Sequence, residues 1–228
     1  MIRIPFLVTT LFVLGCGLPC QAAAAPVTLQ GRTVGFSFDD ALQGLFGTAS
    51  VSGDTLFFTP VAWSAASLNG TGFDLTHATL HVRVSANPGY AFDALALLAR
   101  GDYLLEGAGS RVGIGGQMRA FDAEMPQTDL AVAIDADGDL SLRGLPTRDW
   151  SAHATLDVPA YGSSGLVLTL APLLLASSGV PNTLAFVEMK FVGLDVSTHA
   201  VPVPEADTWS MMLTGLGLVG FTVLRRSR

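Results

Sequence analysis

The chain has 228 residues, half of them apolar and only 14% charged, with 19 acidic against 12 basic side chains and a formal net charge of −7. That balance argues against nucleic acid or anionic lipid as a partner, since both are bound through an excess of Lys and Arg. The two cysteines, Cys16 and Cys20, lie near the N-terminus, so the bulk of the chain has no thiol for a disulfide, a metal or nucleophilic chemistry.

Arg3 beside the free amine, the apolar stretch Ile4 to Leu14 and the small-residue region ending in Ala22-Ala23-Ala24-Ala25 are the three parts of a secretory signal peptide. Cleavage after Ala24 fits best, with Ala22 at the minus-three position, because a cut after Ala25 would leave Pro26 at plus one. A second reading takes Val13-Leu14-Gly15-Cys16 as a lipoprotein box with Cys16 as the lipidated first residue, although Val13 and Leu14 fit that box poorly. The expected organisation is a signal peptide over 1–24, one β domain over 25–200 and a C-terminal tail over 201–228. Without its two ends the chain keeps eight basic and 17 acidic residues, a net of −9, and Lys190 is its only lysine.

From Val27 to Phe38 apolar residues alternate with polar ones or glycine, and a period of two reads as strand. Leu45 to Val51 and Thr55 to Thr59 flank Ser52-Gly53-Asp54, which predicts a hairpin with glycine at the positive φ angle. Asn69-Gly70-Thr71-Gly72 is a second turn, Thr79 to Ser85 the cleanest alternating strand, and Asn87-Pro88-Gly89 its end. Phe92 to Leu105 suits both a short helix, through Phe92, Leu95, Leu98 and Ala99, and a strand, through Leu95, Leu97 and Ala99; the surrounding pattern favours strand. Val112 to Phe121, Leu130 to Ile134, Leu140 to Leu142, Ala152 to Val158, Leu166 to Ala176 and Thr183 to Val196 complete ten to twelve strands. Turn residues at this spacing predict an all-β fold, an antiparallel, jelly-roll-like β-sandwich.

Asp135-Ala136-Asp137-Gly138-Asp139 presents alternate aspartates, which are hard oxygen ligands for calcium. The helical calcium loop needs glycine at its sixth position and glutamate at its twelfth, and here those are Leu140 and Pro146. A β-hairpin tip turning at Asp137-Gly138 is the preferred reading, with a weak surface calcium site at Asp135, Asp137 and Asp139 as the alternative. His77 and His81 are about 13 Å apart if they lie on one strand, too far to share an ion directly. Asp39-Asp40 are adjacent and would point to opposite faces of a strand, so they are unsuited to flank one glycosidic bond. Ser163-Ser164-Gly165 and Ser177-Ser178-Gly179 lack the strand-turn-helix setting of a nucleophile elbow. Trp63, Trp150, Tyr90, Tyr103 and Tyr161 offer a sugar-stacking platform or, as the plainer alternative, core and rim packing. No catalytic residue and no cofactor is assigned.

The tail has three parts: the box Val203-Pro204-Glu205-Ala206, the uncharged apolar run from Trp209 to Leu224, and the basic end Arg225, Arg226 and Arg228. Sixteen residues of helix extend about 24 Å, a little less than a bilayer's hydrocarbon core, so the predicted transmembrane helix runs over 208–224 with some fraying or thinning. The arginines would hold the C-terminus in the cytoplasm and Trp209 would sit at the opposite interface. A buried terminal helix with Gly215 and Gly217 as packing notches is the other reading, but the run lacks a polar face. The order of these parts resembles the PEP-CTERM sorting signal of Gram-negative exported proteins. The matching residues are Val203, Pro204, Glu205, Thr208, Trp209, Met211, Met212, Leu213, Gly215, Gly217, Gly220, Phe221 and the terminal arginines, with Ala206 where the family has a second proline. That resemblance implies a substrate of exosortase, a membrane protease-transpeptidase that cuts near the box.

Together the two termini lead us to expect an exported, non-enzymatic envelope or matrix protein, held in the inner membrane facing the periplasm and then sorted to the outer surface or extracellular matrix. Signal peptidase and an exosortase-like enzyme would be its processing partners, and exopolysaccharide or biofilm its setting. A carbohydrate-binding module is the alternative, and a secreted hydrolase using Asp39 with Glu106 or Glu124 a third.

Overall fold

A computed structural model describes residues 26–40, 43–125, 127–158, 164–201 and 210–218. Fourteen strands are found among them: β1 (Pro26–Gln30), β2 (Val34–Asp39), β3 (Thr48–Ser52), β4 (Thr55–Thr59), β5 (Ser64–Leu68), β6 (Gly72–His77), β7 (Leu80–Ala86), β8 (Tyr90–Glu106), β9 (Ser110–Asp122), β10 (Leu130–Ala133), β11 (Asp135–Ala136), β12 (Arg148–Asp157), β13 (Gly165–Ser178) and β14 (Leu184–Ala200). They form two antiparallel sheets, consistent with the expected β-sandwich. The first runs β1-β2-β7-β13-β9-β10 with β6 beside β13, and the second β11-β12-β8-β14-β4-β3 with β5 beside β14.

The strict alternation of β13 explains its place. Leu166, Leu168, Leu170, Leu174 and Ala176 are buried, the odd-numbered residues between them only half so. One flank of β13 is taken by the long strand β9, the other by β7 and β6 end to end. The second sheet repeats the device, with β14 between β8 on one flank and β4 and β5 on the other. A single core draws on both inner faces, from Phe36, Val82 and Leu168 to Leu56, Leu97 and Leu194. Each such side chain contributes about 1.5–3 kcal/mol when fully buried. A 3-10 turn at Gly44–Phe46 drives Phe46 into this core, edge-on to Trp63 at 4.9 Å and to Phe58 at 5.3 Å.

Two β-bulges interrupt the pairing of β8 with β14. Met189 opposes Gly101 while Phe191 opposes Arg100, which leaves Lys190 as an extra residue. The buried set accordingly changes parity, from Ala185, Val187 and Met189 to Val192, Leu194 and Val196, as one inserted residue requires. Nearer the other end Ser197 opposes Ala94 and Thr198 opposes Phe92, so Asp93 is extra on β8. The side chain of Asp93 lies against Nδ1 of His199 at 2.5 Å.

Several sequence expectations change. The strand expected over Val27 to Phe38 is a hairpin, β1 and β2, folded back at Gly31 to Thr33. The tip expected at Asp137-Gly138 keeps a positive φ at Gly138, yet no hairpin surrounds it. β10 pairs with β9 in the first sheet and β11 with β12 in the second, so the chain crosses between sheets at buried Ile134, and Leu140 to Leu142 is not a strand.

Asp54, at the β3–β4 turn, clamps the two sheets together. It accepts hydrogen bonds from Thr33 N at 2.7 Å and Thr33 Oγ1 at 2.8 Å. Desolvation pushes its carboxyl up, but the bonds from Thr33, Arg32 and Val34 outweigh this and hold it below its ordinary 3.8. A depressed carboxyl adds stability above its unfolded value and loses it as pH falls through the folded one. Asp54→Asn is therefore expected to cost about 1–2 kcal/mol at pH 7. Urea titrations should show a smaller difference below pH 3.8; equal differences at both pH values would contradict the clamp.

Residues 210–218 form a helix whose residues are all exposed. Met211 is 78% and Leu213 65% exposed, and a Cβ added at Gly215 or Gly217 would meet nothing within 4 Å. The buried-helix alternative is therefore not seen for these nine residues. Among the described residues no helix is long and apolar enough to cross a membrane. The span expected over 208–224 extends past 210–218 into positions outside the described residues.

Candidate functional site

The side chains on the outer face of the second sheet fall into rows set by strand register. One row runs Thr55, Asp195, Ala96, Thr155 across β4, β14, β8 and β12; the next runs Phe57, Gly193, Leu98, His153, and reaches Asp135 on β11. Beyond the Lys190 bulge, Asp149, Asp102 and Glu188 stand directly opposite one another on β12, β8 and β14.

Three carboxylates in line repel one another. The bulge answers this by extruding Lys190, whose ammonium pairs with Asp102 and lies 3.9 Å from Glu188. The hydrogen bond to Asp102, reinforced by the charges of Asp102, Glu188 and Asp149, raises the Lys190 pKa above its ordinary value. Beneath it the strands approach so closely at Gly101 that a Cβ there would lie 1.8 Å from the Glu188 carbonyl oxygen. Trp150 fills the space below, its Nε1 donating to Asp102 O at 3.2 Å and to Glu188 O at 3.1 Å. Arg100, Asp102, Asp137, Asp149, Ser151 and Lys190 thus line a polar cleft of about 500 Å³.

Next to it on the same face is an apolar groove of about 330 Å³. Phe57 and Phe191 make its floor, with ring centroids 5.6 Å apart and planes at 45°. Both rings lean over Gly193, where a Cβ would lie 3.1 Å from two atoms of the Phe191 ring and 3.7 Å from Phe57. Polar groups rim this floor: Thr55 Oγ1 donates to Asp195 at 2.5 Å, and Thr155 and His153 stand on the β12 side. Sequence reasoning missed this pair. A signal was present, since burial of Leu56 and Phe58 obliges Phe57 to face outward.

The residues singled out from sequence fare unevenly. Ala22 and Ala24, and Val203, Pro204, Glu205, Ala206, Trp209, Arg225, Arg226 and Arg228, lie outside the described residues, as does Tyr161. Trp63, Trp150 and Tyr103 belong to the core and Tyr90 alone of the described ones is substantially exposed, so they build no platform. Asp137 accepts from Ser151 at 2.6 Å and meets His153 Nδ1 at 2.5 Å, which hold its carboxyl below the usual range, Ser151 most strongly. Asp139 takes the Ser141 hydroxyl, and Asp135 pairs with His153 in register. No group of three metal-ligating side chains occurs among the described residues.

His77 and His81 stand on different strands, opposite Leu173 and Thr169 of β13. Asp39 ends β2 in the first sheet. Glu106 and Glu124 lie toward opposite ends of the 13-residue strand β9, about 40 Å apart at strand rise, so Asp39 cannot stand beside both. Ser178 is buried, accepting from Gly70 N and Thr183 Oγ1, a turn anchor rather than a nucleophile.

No protein-family model matches the chain, and no curated protein does. Among solved structures it is similar to Caldicellulosiruptor saccharolyticus CBM27-1 in complex with mannohexaose, at 13% identity and a TM-score of 0.31 over 76% of this chain and 96% of that one. TmCBM61 in complex with β-1,4-galactotriose follows at 6% identity and a TM-score of 0.22, over 61% and 89% of the two chains. Eiger TNF from S. frugiperda stands at 12% identity and 0.23, over 62% and 95%. Likenesses this slight carry no argument about what the chain binds.

Proposed function

We propose that the chain is an exported, non-enzymatic cell-envelope or extracellular-matrix protein, held in the inner membrane by its C-terminal helix and sorted by an exosortase-like enzyme. Signal peptidase removes residues 1–24, the jelly-roll-like body faces the periplasm, and cleavage near Val203-Pro204-Glu205-Ala206 sends it to the outer surface or the exopolysaccharide matrix. The repeated passage of the chain between the two sheets, with neighbours such as β1–β2, β3–β4 and β6–β7 kept within one sheet, supports the jelly-roll-like description. The observation that carries the reading is the exposure of every residue of 210–218, an apolar segment that adds nothing to the core. Removing such a surface from water is favourable by about 25 cal/mol per Å², and a bilayer offers the burial that the β body does not. Deleting Val203 to Arg228 is expected to move the protein from the membrane fraction to the aqueous one; unchanged fractionation would overturn the proposal.

The second reading makes the body a carbohydrate-binding module. The aromatic-floored groove with a polar rim favours it.

A further inference from the structure

The geometry points to the groove over Gly193 as a binding site for an uncharged polysaccharide, with one sugar ring resting on the Phe57–Phe191 pair. This inference rests on the carbohydrate-binding reading and names its site and ligand class. A pyranose has an apolar C–H face and an equatorial belt of hydroxyls, and it asks for an aromatic floor ringed by groups that donate and accept hydrogen bonds. Here the floor is Phe57 and Phe191, continued by Leu98 and Ala96, and the ring of polar groups is Thr55, Asp195, Thr155 and His153. The volume of about 330 Å³ falls within the roughly 300–1,000 Å³ of small-molecule sites.

Gly193 is what allows the floor to exist. It faces outward between Phe57 and Leu98, and its missing side chain is the space into which both rings lean. Without that space the phenyl groups would stand away from the sheet and present edges to a ligand.

Charge selects among glycans. Asp195 stands on the rim, and the neighbouring cleft sets Asp102, Asp137, Asp149 and Glu188 against two cations, Arg100 and a Lys190 already engaged by Asp102, so carboxylates predominate. With a net charge of −7 on the whole chain, uronate, sulfate and phosphate polymers are repelled. Other occupants fit less well. The groove crosses the middle of the sheet, where β14 and β8 are paired on both flanks, so it gives an added strand no free backbone edge. An acyl chain would strip water from the Asp195 carboxylate on the rim, to which Thr55 supplies a single hydrogen bond.

The test is isothermal titration of the full chain in zwitterionic detergent with neutral hexasaccharides of glucose, mannose and galactose, and with hexaguluronate as the anionic comparison. At least one neutral hexasaccharide should bind and hexaguluronate should not. Phe191→Ala and Phe57→Ala should each weaken that binding by about tenfold. Gly193→Ala, whose methyl would meet the tip of the Phe191 ring at 3.1 Å rather than backbone, displaces the rings without parting the strands, and should weaken binding about threefold without lowering the melting temperature. Tyr90→Ala, exposed but off the groove, should change nothing. Binding that survives both phenylalanine substitutions would overturn the site while leaving the carbohydrate reading intact. Binding of none of the neutral sugars would overturn both, and equal binding of hexaguluronate would overturn the ligand class.

Discussion

Gly101→Ala is expected to destabilise the protein by at least about 3 kcal/mol, the upper range of overpacking a core. The added methyl would sit 1.8 Å from the carbonyl oxygen of Glu188, 2.8 Å from Cζ2 of Trp150 and 2.9 Å from the Glu188 carbonyl carbon. Two of these three atoms are backbone in a central strand, so no rotamer change relieves the clash. β8 and β14 would have to part where the Lys190 bulge draws them together, and the Trp150 indole would lose its hold on Asp102 O and Glu188 O. For a domain of this size the loss corresponds to a melting midpoint lower by about 10 °C. Gly113→Ala is the matched control, because its methyl would meet Leu175 at 3.6 and 3.7 Å, an ordinary contact. Equal midpoints for the two variants, followed by circular dichroism of the full chain, would show that the bulge is not the tight point described.

Much of the fold is legible in the residues because alternation survives wherever the ladder is regular. β7 and β13 are examples, and the β3–β4 hairpin follows from Gly53 with its φ of 64°. The ambiguity of Phe92 to Leu105 has a structural cause. The bulge at Asp93 changes the buried parity from Phe92 to Leu95, and the resulting spacing of three imitates a helix. Periodicity also says nothing about which sheet a strand joins. Ile134 belongs to an apolar run that looks continuous, yet it is the crossing point, its N–H still bonded to Gly116 O at 3.0 Å while the chain passes on to β11.

The groove was less legible for a related reason. Phe57 and Phe191 are far apart in sequence, and only the β4–β14 register and the parity change at Lys190 bring their rings together over Gly193. The tryptophans drew attention by residue type, whereas their positions, Trp150 beneath the bulge and Trp63 against Phe46, are those of core residues. Composition was the better guide to the charged cleft. A lone lysine among many acids has few places to stand, and it stands over three of them.

The last backbone bond of the β body lies close to the proposed box. Val201 still donates its N–H to Gly89 O at 2.8 Å, and the proposed box begins two residues later at Val203. A cut there would leave almost no stub on the folded body, so the product should be close to the β domain alone. Mass spectrometry of the intact protein recovered from its native cells tests this most directly. The account predicts a species that starts at Ala25, ends near the box and lacks Ser210 to Arg228; a species that retains those closing residues in the finished protein would contradict it.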